Sequence, residues 1–298
     1  MKNTLITGGC GFIGSHLVDR LINNGENVIV IDNLSTGYNH NPKAKHYYFD
    51  ICDHDLTNIM IQNNISHVYH LAAQINLRKS YDEPIFDADT NIIGTIKVIE
   101  AALKANVEKF IFASTGGAMY SERDPLPWTE EMIPAPKSPY ALSKLCAEKY
   151  LQLLMPDKYV ILRFANVYGP RQNPHGEAGV ISIFFDNLKN NKVSKIFGDG
   201  EHVRDYVYID DVINAIELAK TIPVNDIYNV STGVGTSVND IAELVLKGGS
   251  VEYEPERPGE LKKSILNSKK LNDFGWWPCI SVEEGIRLTH DYNTRQRA

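Results

Sequence analysis

The chain has 298 residues, with 30 Lys and Arg against 37 Asp and Glu and a formal net charge of -7. That length suffices for one large domain or two interleaved ones, and the acidic balance argues against nucleic acid as the main partner, because such proteins usually carry basic patches. Cys10, Cys52, Cys146 and Cys279 show no CxxC spacing, the opening MKNTLITGGCGFIG lacks a signal peptide's apolar core, and no apolar run approaches the roughly 18 residues of a membrane span, so the expectation is a cytoplasmic protein without disulfides, zinc or a membrane partner.

In chain order, residues 4–7, 28–31, 67–71, 110–113 and 160–164 read as strands. Amphipathic stretches at 12–23, 92–104 and 139–154 read as helices between them. Strand–helix alternation of this kind implies crossover units and a parallel sheet with helices on both faces. After about Ala165 the rhythm changes. The polar loop GPRQNPHGEAG at 169–179 precedes a helix at 180–189 and a strand near 195–197. A helix at 211–220 and a strand at 227–230 resume the earlier style, and helices at 238–246 and 282–291 close the chain. The expected fold is α/β, with a first domain over 1–165 joined by returning segments near 205–231, and a smaller lobe mainly over 166–298.

TGGCGFIG places Gly8, Gly11 and Gly14 between the first strand and the first helix. Glycine permits the tight turn and lets a pyrophosphate approach the N–H groups at the helix's positive end. The second strand ends in Asp32, 18 residues after Gly14, a distance at which a carboxylate can bind the adenosine ribose hydroxyls. A carboxylate there repels a 2′-phosphate and no arginine follows through Gly37, which favours NAD over NADP; Asp32 also suits a turn cap. No GK[ST] ends the first loop, so a P-loop has no support. His67 and His70 point to opposite faces of an alternating strand, as structural rather than metal-binding histidines do.

SPYALSK, residues 138–144, starts a helix with Ser138 as N-cap and Pro139 at N1. At about 100° per residue, Leu142, Cys146 and Leu153 form one stripe, and Tyr140 and Lys144 lie away from it. A free phenol has a pKa near about 10. An ammonium one helical turn away and the helix's positive end both stabilise the phenolate. Tyr140 can then exchange a proton with a sugar hydroxyl while NAD exchanges hydride with the same carbon. ASTGGAMY supplies Ser114 and Thr115 just past a strand, at the ligand-binding end of such a sheet.

TGGCGFIG, DNLSTG, HLAAQ, STGGAMY, SPYALSK, RFANVYGPRQ, FGDGEHVRDYVYIDDV and ERPGE occur in the order seen in extended short-chain dehydrogenases/reductases. From residue 3 to about 290 the chain resembles the NAD-dependent epimerase/dehydratase family, and within it UDP-glucose 4-epimerase-like proteins. The resemblance implies a Rossmann-type doubly wound parallel sheet with a C-terminal substrate-binding lobe. It implies Tyr140 as base, Lys144 as its partner on the nicotinamide ribose, and Thr115 as the hydroxyl residue, with Ser114 the alternative. It further implies NAD contacts from Phe12, Ile13, Asp32, Asn33, Leu34, Ser35, Thr36, Gly37, Asp50, Ile51, Leu71, Ala72, Ala73, Gln74, Asn91 and Ala165. For a UDP-sugar it implies Asn166 and Val180 near the diphosphate and nucleotide, Ile196 and Phe197 beside the uracil, Arg204 and Arg257 on phosphate, and Glu260 on the ribose. Ser264 falls where the family controls room for a 2-substituent, which suits N-acetyl sugars as well as UDP-glucose and UDP-galactose; a UDP-uronic acid, with Arg78 as cation, is a further option. A homodimer is expected through a helix bundle.

Related 4,6-dehydratases carry Asp-Glu after the catalytic Thr, where this chain has Gly116 and Gly117. Elimination of water then has no evident general acid. A 4-epimerase needs none, and a non-catalytic NAD-binding sensor would not be expected to keep Tyr140, Lys144 and a hydroxyl together.

Overall fold

The computed structural model describes residues 3–175, 179–223, 225–257 and 261–295. The chain starts with β1 (Asn3–Thr7), α1 (Phe12–Asn23), β2 (Asn27–Asp32) and β3 (Lys45–Tyr48). Next come α2 (Thr57–Gln62), β4 (Ile65–His70), α3 (Leu77–Asp82), α4 (Pro84–Ala88), a π-helix over Asp89–Gly94 and α5 (Thr95–Lys104). β5 (Lys109–Thr115), α6 (Pro139–Leu154), β6 (Tyr159–Phe164) and β7 (Asn166–Tyr168) follow. Then come α7 (Val180–Lys189), β8 (Ser194–Phe197), β9 (Val203–Tyr208), α8 (Ile209–Ala219) and β10 (Asp226–Val230). The last elements are β11 (Gly235–Ser237), α9 (Val238–Leu246), β12 (Val251–Glu254), β13 (Lys263–Ser264), α10 (Lys269–Asn272) and α11 (Val282–Arg295).

Seven strands form one sheet in the order β10-β6-β5-β4-β1-β2-β3. The pairs β1–β2, β1–β4, β2–β3 and β4–β5 are parallel. Strands such as β2, NVIVID, are almost continuously apolar because helices cover both faces. Leu5, Ile31, Val68, Phe110, Phe112 and Ile161 form the centre of the core. The strand order reverses between β1 and β4, so Thr7, His70 and Thr115 end their strands at the edge where such sheets hold ligands.

The chain forms two compact units. The first comprises Met1–Thr115, Pro136–Arg163 and Ile213–Tyr228, and the second Gly116–Ala135, Phe164–Val212 and Asn229–Ala298. Residues 116–135, assigned by the sequence to the first domain, thus belong to the second unit. The cause is local: the backbone N–H of buried Trp128 donates to the Ile265 carbonyl at 2.9 Å, and Tyr120 Oη donates to Asn229 Oδ1 at 3.0 Å. Conversely, 213–228 returns to the first unit, where Arg20 donates to Glu217 and Lys220 to Glu26. Within the second unit β9 runs between β11 and β13 and also pairs with β7, and β8 pairs with β12.

The faces of α6 are the reverse of the sequence expectation. Leu142 and Leu153 are exposed, Leu153 at 78%, and Cys146 is half-buried. The face turned inward carries Ala141, Ser143, Lys144, Ala147, Glu148 and Leu151. Ser143 and Glu148 find buried polar partners there, in Asp87, Ser114 and Arg163. Among the described residues, no helix is long and apolar enough to cross a membrane, and no cluster could hold a metal ion.

Candidate active site

The glycine loop lies between β1 and α1. Gly8 has φ +71°, and a side chain there would reach within 2.7 Å of the Ala72 backbone nitrogen. At Gly14 a Cβ would lie 2.1 Å from the Gly8 carbonyl oxygen, so the helix can only start this close to the strand with glycine present. Gly11 differs, having only the Gly8 oxygen near its Cβ position, at 3.3 Å. No side chain caps α1 and no acidic residue stands in its first turn, which leaves the N–H groups of Phe12 and Ile13 at an uncapped positive end. This open cradle fits a pyrophosphate.

Asp32 ends β2. Its carboxylate accepts the Cys10 N–H at 2.8 Å and the Leu34 N–H at 2.8 Å, tying the glycine loop to the segment Asn33, Leu34, Ser35, Thr36, Gly37. Burial raises its pKa and those two N–H groups oppose the rise. The turn-capping role and a place at the cradle's rim therefore coincide. Asn33 donates to Asp50, whose carboxylate also accepts the Cys52 N–H beside buried Ile51.

The HLAAQ segment, with Leu71, Ala72, Ala73 and Gln74, leaves the end of β4. Thr95 Oγ1 donates to the Asn91 carbonyl and therefore accepts from His70 Nε2, leaving His70 Nδ1 to accept from Thr7 Oγ1. This relay assigns the neutral Nε2–H tautomer. Burial, and secondarily the Lys144 charge, pushes the His70 pKa down to about 3, consistent with a neutral ring. Asn91 sits in the π-helix with its amide fully used, accepting the Gln74 N–H and donating to the Gln74 carbonyl and to Asp87.

Ser114 and Thr115 end β5 and face opposite ways. Ser114 is buried and its hydroxyl donates to Glu148, whereas Thr115 is half-exposed. Ser138 caps α6 through the Ala141 N–H, and Pro139 follows it, as the sequence reading requires. Tyr140, in the first turn, is half-buried; Lys144, one turn on, is 4% exposed. Lys144 Nζ lies 4.5 Å from the Phe112 ring centroid and makes no hydrogen bond among the described residues. Burial lowers its pKa to about 8, against the pull of Glu148 and Asp87. A buried ammonium with donors to spare fits a ribose of a bound nucleotide.

The buried charges around α6 escaped the sequence reading. Glu148 accepts Arg163 Nε at 3.0 Å and Arg163 Nη2 at 2.6 Å, both groups fully enclosed. Asp87, also fully buried, accepts from Gln74, Asn91 and Ser143. For Glu148 the signal was present: it lies four residues after Lys144, on the same helix face. Asp87 has no such signature, because only the fold brings α4 against α6.

In the second unit, Gly117, Asn166 and Ser264 converge. The Gly117 Cβ position lies 3.3 Å from Asn166 Oδ1 and 3.7 Å from Ser264 Oγ, and Ser264, which is buried, donates to the Gly117 carbonyl at 3.3 Å. The Arg257 guanidinium stacks 3.4 Å from the centroid of half-exposed Phe197, and Ile196 is fully buried beside it. Arg204, on β9, donates to the Val203 carbonyl. Val180 starts α7, and Ala165 is held by its N–H to the Val230 carbonyl. Glu260 lies outside the described residues.

A parallel sheet of this order, with a glycine turn at its first crossover and an acidic residue ending its second strand, defines a Rossmann-type dinucleotide-binding protein. Residues 4–231 match the family described as NAD dependent epimerase/dehydratase. UDP-glucose 4-epimerase of Mycolicibacterium smegmatis is 40% identical over 306 residues, covering 97% of this chain and 97% of that one. The structure of UDP-glucose 4-epimerase with UDP-glucose from Thermotoga maritima superposes with a TM-score of 0.95 at 45% identity, over 99% of this chain and 100% of that one. UDP-glucose 4-epimerase of Thermus thermophilus in complex with NAD gives 0.91 at 41% identity, over 97% and 98%. The chain belongs to the NAD-dependent epimerase/dehydratase family.

Proposed function

We propose that this enzyme interconverts UDP-hexoses epimeric at C4, using tightly held NAD. The observation that carries this reading is half-buried Tyr140, one helical turn from buried Lys144, together with Thr115 opening a turn, Thr115-Gly116-Gly117, that holds no carboxyl group. Gly8, Gly11, Gly14, Phe12 and Ile13 would hold the pyrophosphate, Asp32 the adenosine ribose, and Lys144 the nicotinamide ribose. Bound NAD supplies the acceptor and donor of hydride at C4.

Tyr140 takes the proton of the C4 hydroxyl as that carbon is oxidised, and returns it when the carbon is reduced on its other face. Lys144, still charged, stabilises the phenolate through that exchange. Thr115 donates its hydroxyl to the C4 oxygen, whereas Ser114 is committed to Glu148. Asn166, Val180, Ile196, Phe197, Arg204 and Arg257 hold the UDP moiety, and Ser264 leaves room at C2. With no acid at Gly116 or Gly117, nothing protonates a leaving C6 hydroxyl. The keto sugar therefore returns as the epimer instead of losing water.

The test offers purified protein, without added cofactor, UDP-glucose, UDP-galactose, their N-acetyl forms and UDP-glucuronate, with products resolved by chromatography. Interconversion at C4 that disappears in Tyr140→Phe is expected. A 4-keto-6-deoxy product, or turnover retained in Tyr140→Phe, refutes the reading.

We also propose a homodimer. Ile85, Phe86, Ile93, Leu142, Tyr150, Leu153 and Leu154 are exposed apolar side chains on α4, the π-helix and α6, three elements that pack together. Such a patch suits a helical interface between copies. Leu153→Glu should give a monomer in sedimentation experiments.

A further inference from the structure

Lys144 is one of four buried charged groups, with Asp87 on α4, Glu148 on α6 and Arg163 on β6. Their formal charges cancel, but the partners are unequal. Glu148 and Arg163 answer each other through two hydrogen bonds and a 2.6 Å ion pair. Asp87 is enclosed with three neutral donors, Gln74 Nε2 at 2.8 Å, Asn91 Nδ2 at 3.0 Å and Ser143 Oγ at 2.7 Å. All three can donate to it, which is the environment of a carboxylate. Among the described residues it touches no cation. Lys144 is the residue after its partner Ser143, and is likewise buried without an ion pair in contact.

We infer that Asp87 is the counter-ion of Lys144, a positioning residue that holds the lysine as an ammonium and acts on Tyr140 only through it. This rests on the reading of Tyr140 and Lys144 as the proton-transfer pair. Two buried opposite charges without other charged partners stabilise one another, because removing either leaves the other uncompensated. The groups that face Lys144 from the surrounding elements are consistent with this. His70 on β4 is neutral through burial with both ring nitrogens engaged by Thr7 and Thr95, Phe112 on β5 offers only its ring, Glu148 is spoken for by Arg163, and Tyr140 lies on α6 itself. Glu148, and after it Asp87, oppose the burial that lowers the Lys144 pKa; of the two, only Asp87 has no cation of its own in contact. Through Gln74 and Asn91 the same carboxylate also fastens the HLAAQ segment, so one residue sets both the charge below the base and the loop beside it.

Asp87→Asn removes the charge and little else. Its amide oxygen can accept from Gln74 and Asn91, and its amide nitrogen can donate to the Ser143 hydroxyl. In cofactor-free protein with 15N-labelled lysine, the Lys144 ammonium signal should titrate about one pH unit lower in Asp87→Asn than in the parent. In the holoenzyme the alkaline fall of kcat should move the same way, with KM unchanged. An unshifted Lys144 titration overturns the assignment. A second measurement holds even if that variant folds poorly. In a Lys144→Met background Asp87 is stranded, so adding Asp87→Asn should raise the melting temperature; a fall would make Asp87 a purely structural acceptor and overturn the assignment. Full turnover by Lys144→Met would instead strike at the proton-transfer reading, since neither of the other two measurements depends on catalysis.

Discussion

Ser114 and Thr115 are adjacent hydroxyls on one strand, and their opposite orientations separate stability from chemistry. In Ser114→Ala the buried Glu148 loses one of three donors but keeps both from Arg163. The cost is that of one hydrogen bond to a charged group at the low end of its range, about 1.5 kcal/mol. For a chain of this size that lowers the melting temperature by roughly 2 to 3 °C. Turnover should stay within about threefold of the parent, because no donor to the substrate is lost. Thr115→Ala should do the opposite. Its stability changes by less than about 0.5 kcal/mol, as for other partly exposed positions. Its kcat falls about a hundredfold, as when one donor to a developing oxyanion is removed. Thermal melts of both variants, with a coupled assay of C4 interconversion, give the four numbers. If Ser114→Ala lost turnover as severely as Thr115→Ala and kept its melting temperature, the assignment of the two faces would be wrong.

Two further outcomes follow from the cradle and the strand end behind it. His70 is neutral in the folded protein to about pH 3, against an ordinary value of 6.5. As pH falls, the unfolded chain therefore takes up a proton that the folded chain refuses, and stability drops by about 2 kcal/mol between about pH 7 and about pH 5. Urea unfolding at a series of pH values should show this slope reduced by that amount in His70→Gln, and equal slopes would refute the neutral histidine. Gly14→Ala places a Cβ 2.1 Å from the Gly8 carbonyl oxygen, so the loop must open. NAD affinity by calorimetry should fall at least about a hundredfold, roughly 3 kcal/mol, with the far-ultraviolet spectrum unchanged.

The sequence was most legible where backbone geometry dictates residue type. The glycine loop, the Ser138-Pro139 start of α6 and the bounds of α1, α6, α7 and α9 all follow from local rules of turn and cap. It misled where burial was polar. Leu142, Cys146 and Leu153 form the apolar stripe that periodicity selects, yet α6 turns Ser143 and Glu148 inward, to Asp87, Ser114 and Arg163, and carries Lys144 in with them. Those partners are 56, 34 and 15 residues away along the chain, beyond any local pattern. The short edge strand β3, KHYY, was missed for a related reason: it has no buried residue, its two ends are exposed, and it shows no apolar alternation. The π-helix at Asp89–Gly94 leaves no trace in composition; its effect is visible only in the Asn91 amide clasping Gln74.

The interleaving of the two units bears on how the protein is made. The first unit takes residues 213–228 into its own contacts, and β10 completes the far edge of its sheet. A ribosome that has released the first 165 residues has supplied the glycine loop and α6, but β6 still lacks its outer neighbour. The NAD-binding unit therefore cannot close until more than three-quarters of the chain has emerged, and the long-range strand pairing makes that closure slow. A nascent chain stalled before β10 should expose β6 as a bare edge and engage chaperones. One stalled after β10 should not. A deletion that spares every residue of the cradle can thus still prevent the cradle from forming.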